Sequence, residues 1–262
     1  MGDEVRGMAR AIIDPASLTG RLLRLPLRLI PQRAVMPVLT GINKGCRWRV
    51  GSSIHGCWLG NYESDKQRLI SRLVKPGMSA WDIGANAGFY TLAMSRLAGH
   101  DGCVHAFEPL PGNAAHVHEH IGFNNCANVI LHQIALSDRK GEAAFRTANS
   151  NAMGHLATGG DLHVQTAAMD GLIEDGVPAP DIVKMDVEGA ESLVLDGARK
   201  LLGMQRTIWL IALHGEEQRK AVGRILGEYG YRLFTLGGEE ISGVVDVDEI
   251  YALPDGIPGR RM

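Results

Sequence analysis

Ser79-Ala80-Trp81-Asp82-Ile83-Gly84-Ala85-Asn86-Ala87-Gly88-Phe89-Tyr90 is the stretch of this 262-residue sequence whose reading decides the fold. A short β-like run closes on an acid and turns at once between two glycines, and Thr91-Leu92-Ala93-Met94-Ser95-Arg96-Leu97 then continues as a helix. Gly84 and Gly88 let the backbone turn tightly against a ligand, and the free N–H groups that open the helix face it. Strand, glycine turn and helix in this order are the first unit of an open α/β sheet, with a cofactor cradle at the strand tip. A second acid, Glu108 in Val104-His105-Ala106-Phe107-Glu108-Pro109, ends the next apolar run 24 residues beyond the first glycine (108 against 84). There a carboxylate can accept both ribose hydroxyls of a nucleoside.

Charge selects among nucleosides. A pyrophosphate about 4 Å from Asp82 would be repelled by roughly 1 kcal/mol in water and by several times that in a partly dry cleft. S-adenosylmethionine brings an ammonium and a sulfonium, which acids at the strand tips attract. The glycine spacing is G-x-x-x-G behind an acid, and the G-x-G-x-x-G of nicotinamide sites is absent, so a nicotinamide oxidoreductase is disfavoured.

Working outward, 45% apolar and 21% charged residues make an ordinary globular composition, long enough for one sizeable domain with an additional arm. The expected division is an N-terminal arm over 1–45 and a catalytic domain over 46–262. A net charge of −2 and a pI near 6.5 give no general attraction to phosphate backbones, which argues against a nucleic-acid partner. Cys46, Cys57, Cys103 and Cys126 form no C-x-x-C pair and are expected as free thiols in a reducing compartment, by default the cytoplasm. The acidic start Met1 to Arg6 lacks the hydroxyl residue a myristoylation signal wants at position 6 and precedes no uninterrupted apolar run, so export is not expected. Leu22 to Ile30 is apolar but short, broken by Arg24, Pro26 and Arg28, so stable membrane insertion is not expected. It reads as an arm packed on the domain or on a second subunit of a homo-oligomer, or as a membrane-surface contact through Arg21, Arg24, Arg28 and Arg33.

From residue 62 on, helical patterns alternate with short apolar runs, which is an α/β rhythm. Helices are expected over Tyr62 to Val74, Asn113 to Gly122, Gly189 to Leu202 and Glu216 to Tyr229. Strands are expected over Cys103 to Phe107, Val129 to Leu136, Ile182 to Asp186, Thr207 to Leu213, Tyr231 to Leu236 and Ile250 to Leu253. Glu142 to Thr147 and Leu162 to Ala168 read as an inserted β-hairpin around the polar loop Asn149 to His155, a loop type that often contacts substrate.

With Asp-Ile-Gly-Ala-Asn-Ala-Gly-Phe-Tyr at 82–90, Ala-Phe-Glu-Pro at 106–109, Ala-Leu-Ser-Asp at 135–138 and Lys-Met-Asp-Val-Glu-Gly-Ala-Glu at 184–191, the chain resembles the FkbM family of S-adenosylmethionine-dependent methyltransferases. The resemblance runs from Trp58 to Glu63 through Leu213-His214-Gly215, covering roughly residues 40–215. It implies a Rossmann-like class I methyltransferase sheet of seven strands, order 3-2-1-4-5-7-6 with strand 7 antiparallel. It also implies methylation of a hydroxyl on a small natural product or saccharide. Carried over, it sets Asp82, Gly84, Asn86, Gly88 and Asp186 around the methionine part, Glu108 on the ribose, and Ala135, Leu136 and Asp138 beside the adenine. The family commonly has an acid two positions before the histidine of strand 5, where this chain has Ala212, which leaves the partner of His214 open.

Asp186, Glu188 and His214 fall at or just past the ends of strands 4 and 5, where open α/β sheets bind ligands. His214 is the candidate general base, since an imidazole with a pKa of about 6.5 suits proton transfer near neutrality. A structural histidine is the competing role. Glu188 and Glu191 flank the start of a helix, where a capping role competes with a catalytic one. Asp186, Glu188 and His214 could instead hold a divalent metal, which is not the favoured reading. His116 and His120, an i, i+4 pair, are expected on a solvated face. Nitrogen or carboxyl methylation, and a cofactor-binding scaffold without turnover, stay as alternatives.

Overall fold

The structure is a computed structural model that describes residues 26–147, 154–156, 162–242 and 247–255. In chain order the strands and α-helices begin with β1 (Val35–Pro37), β2 (Arg47–Arg49), α1 (His55–Leu59), α2 (Ser64–Leu73), β3 (Ser79–Ile83), α3 (Phe89–Ala98), β4 (Cys103–Phe107) and α4 (Pro111–Phe123). The middle of the chain holds β5 (Val129–His132), β6 (Ala135–Leu136), β7 (Gly141–Thr147), β8 (Gly154–Leu156), β9 (Leu162–Ala167) and α5 (Met169–Glu174). The remainder is β10 (Ile182–Met185), α6 (Glu191–Asp196), α7 (Arg199–Gly203), β11 (Ile208–Ala212), α8 (Glu216–Glu228), β12 (Arg232–Thr235), β13 (Glu240–Ile241) and β14 (Glu249–Leu253).

The main sheet runs β13-β12-β14-β11-β10-β3-β4-β5, parallel from β11 to β5, with β14 antiparallel to both its neighbours. It is a mixed α/β methyltransferase-like sheet of eight strands, not the seven expected. The extra one is the two-residue β13, which folds back on β12 after the turn at Gly237-Gly238. Alternation along the strands sends successive side chains to opposite faces, and both faces are covered. Ala80, Ile182, Leu210 and Tyr251 join one core with Trp48, Trp58, Leu69, Ile70 and Leu92, while Trp81, Val183, Trp209 and Ile211 join another with Val194, Leu201 and Ile225.

Two expected elements divide. Residues 129–136 split into β5, in the main sheet, and β6, which leaves it to pair with β9 in a separate four-stranded sheet, β6-β9-β7-β8. The helix expected over 189–202 breaks into α6 and α7 at Gly197, where a Cβ would stand 2.1 Å from the Ser137 carbonyl oxygen. The insertion expected as a hairpin is present as β7 and β9, joined antiparallel, with β8 added on the far edge of β7; the loop over 148–153 lies outside the described residues.

Residues 34–62 pack on the sheet domain. β1 and β2 pair antiparallel, and Trp48 of β2 is fully buried with the His120 ring stacked on it at 3.9 Å. His120 corrects the expectation of a solvated histidine pair: it is fully buried, its Nδ1 donating to the Ala87 carbonyl (2.7 Å) and its Nε2 accepting the Arg49 N–H (3.0 Å). Burial pushes its pKa down to about 4, which keeps the ring neutral and suited to both bonds. All four cysteines are free thiols. No described helix is long and apolar enough to cross a membrane, and the first part of the proposed arm, up to residue 25, lies outside the described residues.

Candidate active site

The cleft opens at the C-terminal ends of β3, β4 and β10. Gly84 has φ +74°, and a Cβ there would stand 1.9 Å from the Asp186 carbonyl oxygen, so the loop after β10 can lie on the turn only because position 84 is glycine. The N–H groups of Gly84 and Ala85 both donate to the Phe107 carbonyl at 3.0 Å, locking the turn to the end of β4. Asn86, also left-handed at φ +51°, donates its backbone N–H to Glu108 Oε2 at 2.8 Å, and Leu110 N–H donates to Oε1 at 3.0 Å. Glu108 is 4% exposed, and burial raises its pKa to about 7 against those two N–H donors, the Asn113 amide and the Lys184 charge, which all lower it. Ala135 and Leu136 of β6 face the same cavity, whose volume is about 180 Å³.

Asp82 does not reach that cavity. Its side chain is fully buried, with Oδ2 accepting from the Thr91 hydroxyl at 2.6 Å and Oδ1 lying 3.3 Å from Lys184 Nζ. Parallel register sets Lys184 on β10 level with Asp82 on β3, so the two share one face of the sheet. Lys184 also donates to the Gly84 carbonyl at 2.9 Å and sits 5.7 Å from the centre of the Tyr90 ring, on the cavity wall. The repulsion expected between Asp82 and a phosphate is therefore largely cancelled by this lysine. Gly88 and Asp138 also stand off the cavity: Gly88, at φ +87°, packs toward Val117, and Asp138 is engaged by Ser137 and Arg139.

Asp186, Glu188 and His214 do come together. His214 Nε2 lies 3.6 Å from Asp186 Oδ1 and 3.5 Å from Glu188 Oε2, and both acids line the cavity. Glu188 holds a left-handed backbone, φ +55°, which is strained for a non-glycine residue and recurs at functional sites. On the far side of the ring, Nδ1 donates to Glu191 Oε1 at 2.7 Å. That bond raises the His214 pKa above its ordinary value, against the opposing effect of burial, with further help from the charges of Glu191, Asp186 and Glu188. The partner left open by Ala212 is thus Glu191. The residue level with Ala212 on β14 is Glu249, and it pairs with Lys66 instead. The ligand atoms of Asp186, Glu188 and His214 all lie within 4.8 Å of one another, close enough to hold a divalent cation.

Part of the cavity wall is built by Trp48 and Cys57, which no sequence motif singled out, and by Tyr62, from the Trp58 to Glu63 stretch of the resemblance. Beside it, Lys66 is 3% exposed and pairs with Glu63 at 2.8 Å, while the Tyr90 hydroxyl donates to Glu63 at 2.7 Å. Burial is the largest cause pushing the Tyr62 and Tyr90 phenols up, which keeps both neutral. Lys184 was the one missed residue with a readable signal, since it opens the same 184–191 motif that contains Asp186 and Glu188.

A mixed α/β sheet with a glycine turn and converging acids at its strand tips defines a methyltransferase-like protein. A family profile described as "Methyltransferase FkbM domain" matches residues 82–233. The hexuronic acid methyltransferase AglP of Haloferax volcanii is 31% identical over 169 residues, 63% of this chain and 68% of that protein. The 2-O-methyltransferase NoeI of Sinorhizobium fredii is 29% identical over 164 residues, 55% of this chain and 66% of that one. Among solved structures, a methyltransferase FkbM from Methylobacillus flagellatus aligns with a TM-score of 0.48 at 16% identity, over 67% of this chain and 43% of the other. This chain belongs to the FkbM methyltransferase family.

Proposed function

We propose that the protein O-methylates a hydroxyl of a small saccharide or natural product, with S-adenosylmethionine as donor and His214 as general base. The observation that carries this proposal is that His214 Nε2, itself just behind the lining, lies within 3.6 Å of Asp186 and Glu188, two acids that line the cleft built on the Gly84 turn. The two relatives named above, one acting on a hexuronic acid and one described as a 2-O-methyltransferase, support a sugar-like acceptor.

The residues present fit this cofactor. The Gly84 turn lines the cleft beside Asn86, Glu108 is a buried acid at the cleft wall positioned for hydroxyl donors, and Asp186 is a partly exposed acid suited to an ammonium group. When bound, S-adenosylmethionine supplies a methyl group on a sulfonium, an electrophile that needs no further activation. Gly84, Asn86 and Asp186 would hold the methionine part, Glu108 would hold the ribose, and Ala135 and Leu136 would flank the base. Asp82 and Gly88 act one step back, by fixing Lys184 and the entry to α3. His214 Nε2 receives the acceptor's hydroxyl proton, and the Trp48–Tyr62 wall excludes water. Without β13, the sheet order corresponds to the seven-stranded order expected, and we infer that sheet with one edge strand added. The division at residue 45 remains our inference, although pairing of Val35–Pro37 with Arg47–Arg49 ties the end of the arm to the domain.

The test is calorimetry with S-adenosylhomocysteine, followed by mass spectrometry of a hydroxylated acceptor panel. No binding by folded protein at sub-millimolar concentration, or a product whose methyl group is lost in mild alkali as an ester would be, overturns the proposal. A second reading, in which Asp186, Glu188 and His214 ligate a divalent cation that polarises the hydroxyl, is favoured by their 4.8 Å grouping. It predicts activity lost on dialysis against EDTA and restored by magnesium or manganese.

A further inference from the structure

Glu191 is an acid that capping alone does not explain. Its carboxylate is fully buried, and Oε1 accepts both the Gly189 N–H at 3.0 Å and His214 Nδ1 at 2.7 Å, while Oε2 has no hydrogen-bond partner. The Gly189 N–H lies ahead of the helix, whose N-cap Ala190 has no side-chain cap bond, so Glu191 does not cap α6. A buried carboxylate is costly unless it is hydrogen-bonded, and the Gly189 N–H and His214 Nδ1 are its hydrogen-bond partners among the described residues. The carboxylate can only accept, so the neutral ring carries its proton on Nδ1 and leaves its lone pair on Nε2. Nε2 is the nitrogen that faces Asp186 and Glu188, the two acids that line the cleft.

We propose that Glu191 is a positioning residue for the reaction: it fixes the tautomer and orientation of His214 so that Nε2 is the nitrogen presented to the acceptor hydroxyl. This rests on the assignment of His214 as general base. The geometry around Glu191 is rigid enough for the task. The Ser192 N–H donates to Gln218 of α8 at 3.0 Å, which ties the first turn of α6 to the neighbouring helix. The acids on the cleft side, Asp186 and Glu188, reach only Nε2, while Glu249 of β14 is taken by Lys66 and Asp248, just before that strand, by Arg219. Glu191 therefore holds Nδ1 without a competing acid among the described residues.

The experiment combines turnover with a readout that needs none. Nitrogen-15 spectra of the free wild-type enzyme, recorded at a pH where His214 is neutral, should show the Nδ1–H tautomer, and an Nε2–H tautomer overturns the proposal. Glu191→Gln removes the charge, and because the one oxygen Oε1 accepts from both Gly189 and Nδ1, its amide can donate to Nδ1 only by giving up the Gly189 bond. It should lower kcat by roughly 10- to 10³-fold with little change in S-adenosylhomocysteine Kd, because a wrong tautomer costs chemistry and not cofactor binding. In a His214→Ala background the same substitution should change kcat by less than about twofold. A folded Glu191→Gln enzyme within about twofold of wild type, or losses that multiply in the double variant, refutes it. If Glu191→Gln does not fold, Glu191→Asp, which keeps the charge, should show the Nδ1–H tautomer and an intermediate kcat. A wild type with the Nδ1–H tautomer but no turnover on any acceptor would fault the proposed function and leave the tautomer assignment standing.

Discussion

Replacing Lys184 by methionine tests whether the buried pair with Asp82 holds the cofactor cradle together. The two charges lie 3.3 Å apart, with side chains 6% and 0% exposed, a separation worth about 5 kcal/mol at an effective dielectric constant of about 20 before desolvation is counted. Removing one partner of such a pair leaves the other charge buried alone, which typically costs about 3 to 5 kcal/mol. For a domain of this size each kcal/mol moves Tm by roughly 2 to 4 °C, so Lys184→Met should lower Tm by about 6 to 20 °C. The same change removes the donor to the Gly84 carbonyl and should weaken S-adenosylhomocysteine binding by roughly tenfold. Asp82→Asn should destabilise by a similar amount. The double variant, with neither charge left, should be at least about 1 kcal/mol more stable than the sum of the singles requires. Thermal unfolding of the four proteins, with calorimetry on those that stay folded, measures all of this. A Tm loss under about 3 °C for Lys184→Met, or strict additivity, would refute the account of a charge pair bracing the turn.

Glu108 gives a stability prediction with a defined sign. Its folded pKa is raised from 4.5 to about 7, so the native state binds the extra proton between those values and stability falls as pH rises through that window, by about 3 kcal/mol from this group. Glu108→Gln should flatten that slope in the cofactor-free protein, and chemical denaturation at pH 4.5, 6 and 8 reads it. His214→Ala should lower kcat by about 10² to 10⁴ while cofactor Kd changes little, whereas a destabilised variant with near-normal turnover would mark a structural histidine. Because the His214 pKa is raised and the base must be unprotonated, the acid limb of kcat should fall above pH 6.5, the ordinary imidazole value. Gly84→Ala must move its Cβ or the Asp186 carbonyl away from a 1.9 Å contact and hold a left-handed backbone, so cofactor binding should be lost before global folding is.

What the sequence made legible was local. Ser79 to Tyr90 announces strand, turn and helix because the glycine at 84 is required by the backbone itself, and β3 and α3 stand where that stretch puts them. Sheet strands and helices with strong periodicity were legible for the same reason. The breaks were not: residues 129–136 read as one apolar strand, and only the pairing of β6 with β9 pulls the second half into another sheet. Likewise the contact that breaks the helix at Gly197 is made by Ser137, sixty residues earlier. His120 looked like a surface histidine because its partners, Ala87, Arg49 and Trp48, lie far from it in sequence.

The candidate site shows the same limit more sharply, because five acids were visible at the strand tips and their sequence positions alone did not sort them. Burial and partners do. Asp82 and Glu191 are both fully buried and each faces a base, Lys184 for the first and His214 for the second, so they act through those residues. Glu108 is buried but held by backbone N–H groups, which leaves lone pairs for hydroxyl donors. Asp186 and Glu188, 25% and 42% exposed, are open to the cleft and free to meet a cation. Strand parity decides the first case, since Asp82 and Lys184 stand level on neighbouring parallel strands with their side chains on one face. An acid at the end of a strand therefore meets a ligand only if the adjacent strand leaves its side of the sheet without a base. In this fold the fully buried acids Asp82 and Glu191 brace neighbouring bases, and Asp186 and Glu188 are the acids with carboxylates still partly exposed at the cleft.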